Sequence, residues 1–330
     1  KVNKEFEISG IIENNDLTLG NENINLLIKP YFPNIKVQKI TFNSKNRFLF
    51  KINEKLKLKD FEIKSKINLA SSSILNNLEL KKFFPKINEN IDLINQKLEI
   101  DYKKDFIKVK GSGNLRIQEN VDQIDYLLIK KNNNYNFNTS LEIKNNPIKL
   151  NFLNYEKSNE NNTIIKFKGY KKKEKQINFE AISLNEKNNK IEIKNLFFDQ
   201  SFKIIDLEKI LVDFLDKDNN FNKFTITKKN KRNYSLTGSI FNADNLIENL
   251  FANNQNFPKI LNKDFDMSIQ IDKLLLDKNY NLDNFNGNLS FKNQEIINGN
   301  LTGLFPGKKE LRFTVKSKGN QKITTLFSDE

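Results

Sequence analysis

The strongest constraint in the sequence is an alternation of apolar and polar residues with a period of two. In Leu98-Glu99-Ile100-Asp101-Tyr102, every second side chain is apolar and the others are charged. Because successive side chains of a β-strand point to opposite faces, this pattern predicts a strand with one covered face and one face in water. The same alternation recurs in segments 48–52, 141–143, 191–193, 269–271, 289–291 and 313–315.

Polar clusters separate the alternating segments and predict the turns between strands. Asn- and Lys-rich clusters occupy residues 130–134 and 186–190, and two basic runs occupy residues 171–175 and 228–232. Short connections of this kind join antiparallel strands, whereas parallel strands require long crossovers. The predicted fold class is therefore mostly β, an antiparallel meander with one or two short helices.

Two segments depart from the alternation and predict short helices. Residues 72–84 follow a serine that suits a helix N-cap and precede Pro85, which suits a helix end. Residues 244–252 begin with an aspartate and space their apolar residues for one helix face. Residues 204–215 fit both patterns, and the surrounding strands favour a strand there. No change of composition divides the chain, so residues 1–330 are predicted to form one continuous segment.

Glycine is scarce, and its placement predicts bends or bulges within strands. Seven of the 11 glycines stand two residues after an apolar residue of an alternating segment and therefore lie on the apolar register of a strand. Glycine weakens a strand interior and commonly marks a bulge, a bend or the close approach of another group. The seven are Gly10, Gly111, Gly169, Gly238, Gly287, Gly299 and Gly303. Their recurrence indicates a degenerate repeat of hairpins.

The composition excludes most kinds of catalytic site. The chain has no Cys and no His, which removes thiolate nucleophiles, imidazole bases and the usual ligands of zinc and iron. Residues 303–309 resemble a phosphate-binding loop, but they are one residue short and Lys309 replaces the required hydroxyl residue. Residues 216–222 start like a calcium loop, but Phe221 occupies the position of the required glycine. We therefore predict no catalytic residue, no metal site and no cofactor, and we do not expect an enzyme.

The charge balance is basic, with 55 Lys and Arg against 41 Asp and Glu and a formal net charge of +14. Such a balance suits an anionic partner, such as nucleic acid or anionic lipid. Only four of the basic residues are Arg, however, and Arg is the residue that reads bases and phosphates through paired hydrogen bonds. We therefore expect a solvated lysine surface and no specific nucleic-acid partner.

One segment carries a family resemblance. It has the pattern hydrophobic-x-Gly-x-hydrophobic-Phe-x-Ala-x-x-Leu, which is met by Leu236, Gly238, Ile240, Phe241, Ala243 and Leu246. Together with segments 80–85 and 111–113, this pattern resembles the AsmA-like family of Gram-negative bacteria, which includes the YhdP- and TamB-type bridge-like lipid transfer proteins. The resemblance extends over most of the chain. It implies an elongated, twisted antiparallel meander that is curled into a repeating β-groove.

The resemblance also implies a function and a location. Such a protein is a periplasmic segment of a longer chain, anchored to the inner membrane by a helix outside this sequence. It guides phospholipids along the groove in support of outer-membrane biogenesis, and envelope membrane proteins are its partners at the ends of the groove. Apolar residues of the alternating strands are then candidates for the groove lining. These candidates are Leu98, Ile100, Tyr102, Leu141, Ile143, Ile191, Ile193, Leu236, Ile240, Ile269, Ile271, Leu289, Phe291, Phe313 and Val315.

The same residues also fit a closed core in which they pack only against each other. The alternative function is therefore a structural or adhesive β-repeat protein of the cell surface. An outer-membrane barrel is a third possibility, but it requires aromatic residues at the strand ends, and Phe is spread along the predicted strands here. Bound lipid distinguishes an apolar groove from a closed core.

Overall fold

The computed structural model describes residues 5–29, 35–76, 80–157, 161–172, 176–199, 201, 203–244, 261–293, 295–318 and 321–329. It is mostly β, with 72% strand and 5% helix, and the strands are mostly antiparallel. The predicted fold class is therefore confirmed. The chain divides into two compact units, Lys1–Pro147 with Asn159–Lys173 (unit 1) and Ile148–Ser158 with Glu174–Glu330 (unit 2). The single continuous segment stays a prediction.

Unit 1 is an antiparallel meander. Its strands are β1 (Glu5–Gly20), β2 (Val37–Asn53), β3 (Leu58–Leu75), β4 (Asn90–Lys103), β5 (Phe106–Arg116), β6 (Asp122–Lys131), β7 (Asn134–Ile143) and β10 (Thr163–Lys171). They pair in the order β1-β2-β3-β4-β5-β6-β7-β10. Asp105 and Asn132 have φ of 59° and 53° in the turns after β4 and β6, a left-handed conformation that Asp and Asn adopt more readily than other side chains.

Unit 2 continues with the same kind of pairing. Its strands are β8 (Lys149–Leu150), β9 (Tyr155–Glu156), β11 (Ile177–Glu186), β12 (Asn189–Phe198), β13 (Ile204–Asp206), β14 (Lys209–Leu215), β15 (Phe221–Lys228), β16 (Asn233–Asn242), β17 (Phe265–Leu275), β18 (Asn281–Lys292), β19 (Glu295–Leu304), β20 (Glu310–Lys318) and β21 (Gln321–Ser328). The order is β11-β12-β14-β15-β16-β17-β18-β19-β20-β21, and β13 pairs with the end of β12. Strands β8 and β9 form a separate pair. The predicted strand over 204–215 is thus confirmed as β13 and β14.

Strands β16 and β17 are an exception to the predicted antiparallel order, because they pair in parallel. The connection between them runs from residue 243 to residue 264. An antiparallel hairpin needs a turn of only two residues, whereas a parallel pair needs a crossover of about a dozen or more. The predicted helix over 244–252 falls in this connection. Asp244 is helical, and residues 245–260 lie outside the described part of the chain.

The predicted helix over 72–84 is wrong for the described residues 72–76 and 80–84, and residues 77–79 lie outside the described part of the chain. Ser72 and Ser73 belong to β3, where they pair with β2 on one side and with β4 on the other. The Ser73 hydroxyl donates to Asp92 Oδ1 at 2.9 Å across this pairing. A 3-10 turn follows at Leu80–Lys82. The N-cap preference of serine could not start a helix here, because two neighbouring strands already engage its backbone.

The sequence pattern did not predict α1 (Asn21–Ile28), the helix that connects β1 to β2. It is anchored by Ile24, which is buried, and by Asn25, whose side-chain amide bonds both the N–H and the C=O of Val37. Neither α1 nor any other described helix combines the length and the apolar character that a membrane crossing requires.

The core of unit 2 is organised by aromatic side chains. Phe265 is 1% exposed, and its ring stacks on Phe291 with centroids 4.4 Å apart. The ring of Tyr234 meets Phe265 edge-on at 5.7 Å. Leu196, Leu207, Leu261 and Met267 complete this buried cluster. Aromatic pairs of this geometry add to the stability that their buried area provides.

In unit 1, two of the predicted bulge glycines, Gly10 and Gly111, lie beneath aromatic rings, and a third, Gly169, pairs with an aromatic residue. A Cβ atom added at Gly111 would lie 2.3 Å from the ring of Tyr126. No register shift occurs at these three glycines, so none forms a bulge, and Gly10 and Gly111 make room for a ring instead. The three cross-strand pairs are Gly10–Phe48, Gly111–Tyr126 and Gly169–Phe137.

In unit 2, the glycines on the apolar register include two at register shifts. Gly238 lies opposite the shift between Lys223 and Phe224, and Gly303 lies within the shift between β18 and β19. The other two are crowded: a Cβ atom would lie 2.0 Å from a backbone oxygen at Gly287 and 2.7 Å from a leucine side chain at Gly299. Close approach of a neighbouring strand therefore accounts for glycine at these positions.

We expect Gly238→Ala to lower the free energy of unfolding by about 1–3 kcal/mol, the range for overpacked sites. The added Cβ would lie 2.4 Å from the carbonyl oxygen of Lys223, and backbone atoms of a paired strand cannot rotate away. Gly20→Ala is the control, because a Cβ there has no atom within 4 Å. Its effect should stay within about 0.5 kcal/mol in urea unfolding. Equal effects of the two substitutions would contradict the packing at Gly238.

Candidate functional site

The register of unit 2 aligns apolar residues across the strands from β11 to β21. Each neighbouring pair in this alignment is a cross-strand pair, so the side chains share one face. Since adjacent strands lie about 4.8 Å apart, the apolar strip extends for about 40 Å across the strands. We call it the central row; its members are Ile182, Ile193, Ile210, Ile226, Leu236, Ile269, Gly287, Leu301, Phe313 and Leu326.

The central row is apolar but only partly covered. From Ile182 to Phe313 every member is half-buried, and Leu326 at the end is 59% exposed. On several of the same strands, residues two positions away are fully buried; Val212 and Ile271 are each 1% exposed. Unit 2 therefore carries an accessible apolar strip beside a closed core, and a ligand can contact the strip without displacing that core.

The opposite face of the same strands is mostly polar. The cross-strand row offset by one residue consists of Ser183, Glu192, Leu211, Thr225, Thr237, Gln270, Asn286, Thr302, Arg312 and Phe327. We call it the polar row, because all of its members except Leu211 and Phe327 have polar side chains. The two rows show that the alternation in the sequence sorts residues onto an apolar and a polar face.

Unit 1 has a related but interrupted apolar face. One of its cross-strand rows contains Ile67, Leu98, Gly111, Tyr126, Thr139 and Phe167. The row continues onto β2 and β1 with Ser44 and Asn14, which bond to each other. Burial raises the pKa of Tyr126 to about 12, so this phenol stays neutral on the apolar face. The polar residues on β1 and β2 make the unit 1 face less continuous than the central row.

An aromatic ladder extends the unit 1 face along β2, β3 and β4. The rings of Phe48, Phe50, Phe61 and Tyr102 follow one another at centroid distances of 5.9, 6.5 and 5.8 Å. All four side chains are half-buried. This ladder is a second accessible apolar surface.

The predicted lining residues divide into two groups by burial. Half-buried candidates, which a ligand can reach, are Leu98, Ile100, Tyr102, Ile193, Leu236, Ile240, Ile269, Leu289 and Phe313. Buried candidates, which belong to the core of their unit, are Leu141, Ile143, Ile191, Ile271, Phe291 and Val315. Ile143, at 0% exposure, cannot meet a ligand without a rearrangement of its neighbours.

Two further placements differ from the sequence prediction. Ile240 pairs with Lys223 and Lys273 beyond the register shift, so it lies outside the central row. The prediction also omitted Ile210 and Ile226, which belong to that row. Both stand in alternating segments, and the same period-two signal could have identified them.

The carboxylate of Asp206 lies in a cluster of cations close to the central row. It accepts hydrogen bonds from Lys228 Nζ at 2.5 Å, Lys263 Nζ at 2.9 Å and the Tyr234 hydroxyl at 2.6 Å. Partial burial acts to raise the pKa of Asp206, but these hydrogen bonds outweigh it and lower the pKa to about 2. Burial, followed by the bond to Asp206, raises the pKa of Tyr234. Asp206 is therefore ionised at neutral pH, and the Tyr234 hydroxyl that donates to it is neutral.

We expect Asp206→Asn to destabilise the protein at neutral pH by about 1 kcal/mol, a value reduced by the solvent exposure of the group. A depressed folded-state pKa stabilises the fold above the ordinary value of 3.8, and this contribution is lost as the pH falls toward 2. The difference in unfolding temperature between wild type and variant should therefore shrink from pH 5 to pH 2, when measured by calorimetry. A pH-independent difference would contradict the ion cluster.

No group of three or more Asp and Glu within the described residues is placed to hold a metal ion. No protein-family model, curated protein or solved structure matches the chain. The candidate site is therefore defined by its geometry, an accessible apolar row with a polar row on the opposite face.

Proposed function

We propose that the central row binds lipid acyl chains and that the protein guides phospholipids along an apolar β-groove. The observation that carries this proposal is the half-buried, uninterrupted central row with the polar row behind it. Each buried methylene contributes about 0.8 kcal/mol, so one acyl chain gains on the order of 10 kcal/mol. Hydrophobic burial has no preferred direction along the strip, which allows a bound chain to slide.

The cellular setting is part of the same proposal and rests on the AsmA-like resemblance. In this proposal the protein is a binding and transport protein of the AsmA-like family, and not an enzyme. It acts in the periplasm of a Gram-negative cell, anchored to the inner membrane by a helix elsewhere in the protein. It supports outer-membrane biogenesis, with phospholipids as ligands and envelope membrane proteins as partners at the groove ends. The basic, lysine-rich surface does not require a specific nucleic acid.

Site-specific photo-crosslinking tests the proposal most directly. A photoreactive side chain at Ile269, on the central row, should label phospholipid that is supplied in vesicles. The matched control is Gln270, the next residue, which lies on the polar row and is exposed. We expect strong labelling from position 269 and background labelling from position 270. Both positions lie on β17, so differences in local folding do not explain the contrast.

The same experiment distinguishes acyl-chain binding from the alternative, a structural or adhesive function. Equal labelling from both positions indicates nonspecific contact with the vesicle surface. Absence of labelling, together with lipid-free protein after purification, favours a structural or adhesive β-repeat protein. Either result contradicts an acyl-chain site on the central row.

A further inference from the structure

A pocket of about 510 Å³ lies in unit 2 beside the Asp206 cluster. Three cationic side chains, Lys231, Arg232 and Lys263, line it together with the carboxylates of Asp206 and Asp264. The first two belong to the basic run 228–232, to which the sequence analysis assigned only a turn. The structure places this turn between β15 and β16 and brings it next to Lys263, which precedes β17 in the chain.

Hydrogen bonds hold the turn in place. Asn230 Oδ1 accepts the backbone N–H groups of Arg232 and Asn233 at 3.0 and 2.9 Å. The backbone N–H of Asp266 donates to the carbonyl of Arg232 at 3.1 Å. The two adjacent cations, Lys231 and Arg232, are therefore presented by a fixed backbone. A site with a fixed backbone binds an anion with a smaller loss of conformational entropy.

The cationic side chains retain N–H donors that an anionic ligand can use. Arg232 contacts Asp266 through Nε at 3.1 Å, and its side chain remains 55% exposed. A guanidinium has five N–H donors in a planar fork that matches phosphate oxygens. Lys263 Nζ donates to Asp206 Oδ1 and lies 3.4 Å from the carbonyl oxygen of Lys231. The lining thus combines three positive charges with two negative charges, a net excess of positive charge.

The pocket also has an apolar wall. Phe197 and Ile205 line it beside the charged groups. Asp206 bonds Tyr234, whose ring lies in the unit 2 core, and Leu236 follows two residues later on the same face of β16. Two residues along a strand span about 7 Å. A molecule with a charged group in the pocket can therefore reach the central row with an attached chain.

We propose that this pocket binds the phosphate group of a phospholipid whose acyl chains lie on the central row. The inference rests on the proposed function and adds a headgroup site to it. Lys231 and Arg232 supply charge-assisted hydrogen bonds to the phosphate oxygens, and Lys263 supplies a third positive charge beside them. Phe197 and Ile205 contact the first carbons of the chains.

The test uses Lys231→Gln with Arg232→Gln, because these two side chains line the pocket without taking part in the Asp206 cluster. The control is Lys171→Gln with Lys172→Gln, which removes the same charge from exposed positions of unit 1. Each protein is incubated with mixed micelles that contain equal amounts of phosphatidylglycerol and a diacylglycerol with the same acyl chains. Mass spectrometry then quantifies both lipids on the repurified protein.

We expect wild type and the control to retain phosphatidylglycerol over diacylglycerol by about tenfold, and the pocket variant to lose this preference while its total lipid is unchanged. Equal retention of the two lipids by wild type overturns the headgroup site and leaves the proposed function in place. A pocket variant that still prefers phosphatidylglycerol also overturns the headgroup site and leaves the proposed function in place. Wild type that retains neither lipid contradicts the proposed function, and the headgroup site fails with it.

A second measurement distinguishes the source of the phosphate. Inorganic phosphate is titrated into lipid-free protein and its binding is followed by calorimetry. We expect phosphate alone to bind far more weakly than phosphatidylglycerol, because it lacks the chains that the central row buries. Binding of inorganic phosphate as tight as that of the lipid, and lost in the pocket variant, would identify a free-phosphate site and overturn the lipid assignment.

Discussion

Leu236→Glu is expected to reduce the lipid retained by the purified protein by at least about tenfold, because a carboxylate in an apolar strip resists the loss of its water. Leu236 lies near the middle of the central row, between its cross-strand neighbours Ile226 and Ile269. A charge at this position therefore interrupts the strip for any chain that lies along it. Lipid extraction followed by mass spectrometry measures the effect.

The matched control for Leu236→Glu is Thr237→Glu. Thr237 is the next residue on β16, is exposed, and belongs to the polar row. The same charge placed there should leave the retained lipid unchanged. Leu236 is half-buried and packs against the core cluster of unit 2, so circular dichroism is used to verify that both variants are folded. Equal retention in the two variants would show that the central row is not the lipid site.

Phe265→Ala is expected to lower the free energy of unfolding by about 3–5 kcal/mol, the range for removal of a buried aromatic side chain. Phe265 is 1% exposed and contacts the rings of both Phe291 and Tyr234, so its loss leaves a cavity between two aromatic neighbours. Since a domain is stable by only about 5–15 kcal/mol, the variant should unfold at a much lower urea concentration.

The control for Phe265→Ala is Phe221→Ala, at a phenylalanine that is 60% exposed. Its effect should stay within about 0.5 kcal/mol. A loss below about 1 kcal/mol at Phe265 would contradict the aromatic core, because buried aromatic truncations cost several times more. Together with the pair at positions 236 and 237, these variants separate the residues that stabilise unit 2 from those proposed to bind lipid.

Local patterns predicted the strands well and the helices poorly. The strands that contain Ile193, Ile269 and Phe313 follow from alternation alone, because each residue contributes one side chain to one face. The helix over 72–84 was predicted from an N-cap residue and a proline stop. In the structure Ser72 and Ser73 belong to β3 and pair with β2 on one side and β4 on the other. This tertiary pairing overrides the local capping preference of serine.

The candidate site was predicted in part. Alternation placed Leu98, Ile193 and Leu236 on an apolar face, which the cross-strand register reproduces. It could not distinguish them from Ile143 or Ile271, which are apolar in the same pattern but fully buried. Burial depends on which strands lie beside a residue and on what covers that position, and neither is encoded in the residue itself. The basic run 228–232 was predicted to be a turn, whereas its position beside Lys263 depends on the long connection before β17.

The amino-acid sequence by itself determined that this protein is built from one-sided strands without Cys or His chemistry. Period-two alternation is a local property, and a pleated strand expresses it in any environment. Only the tertiary structure decided which apolar side chains close a core, which remain accessible on the central row, and that β16 and β17 run in parallel. These features arise from strand order, register shifts and the close approach of neighbouring strands, which are contacts between residues far apart in the chain.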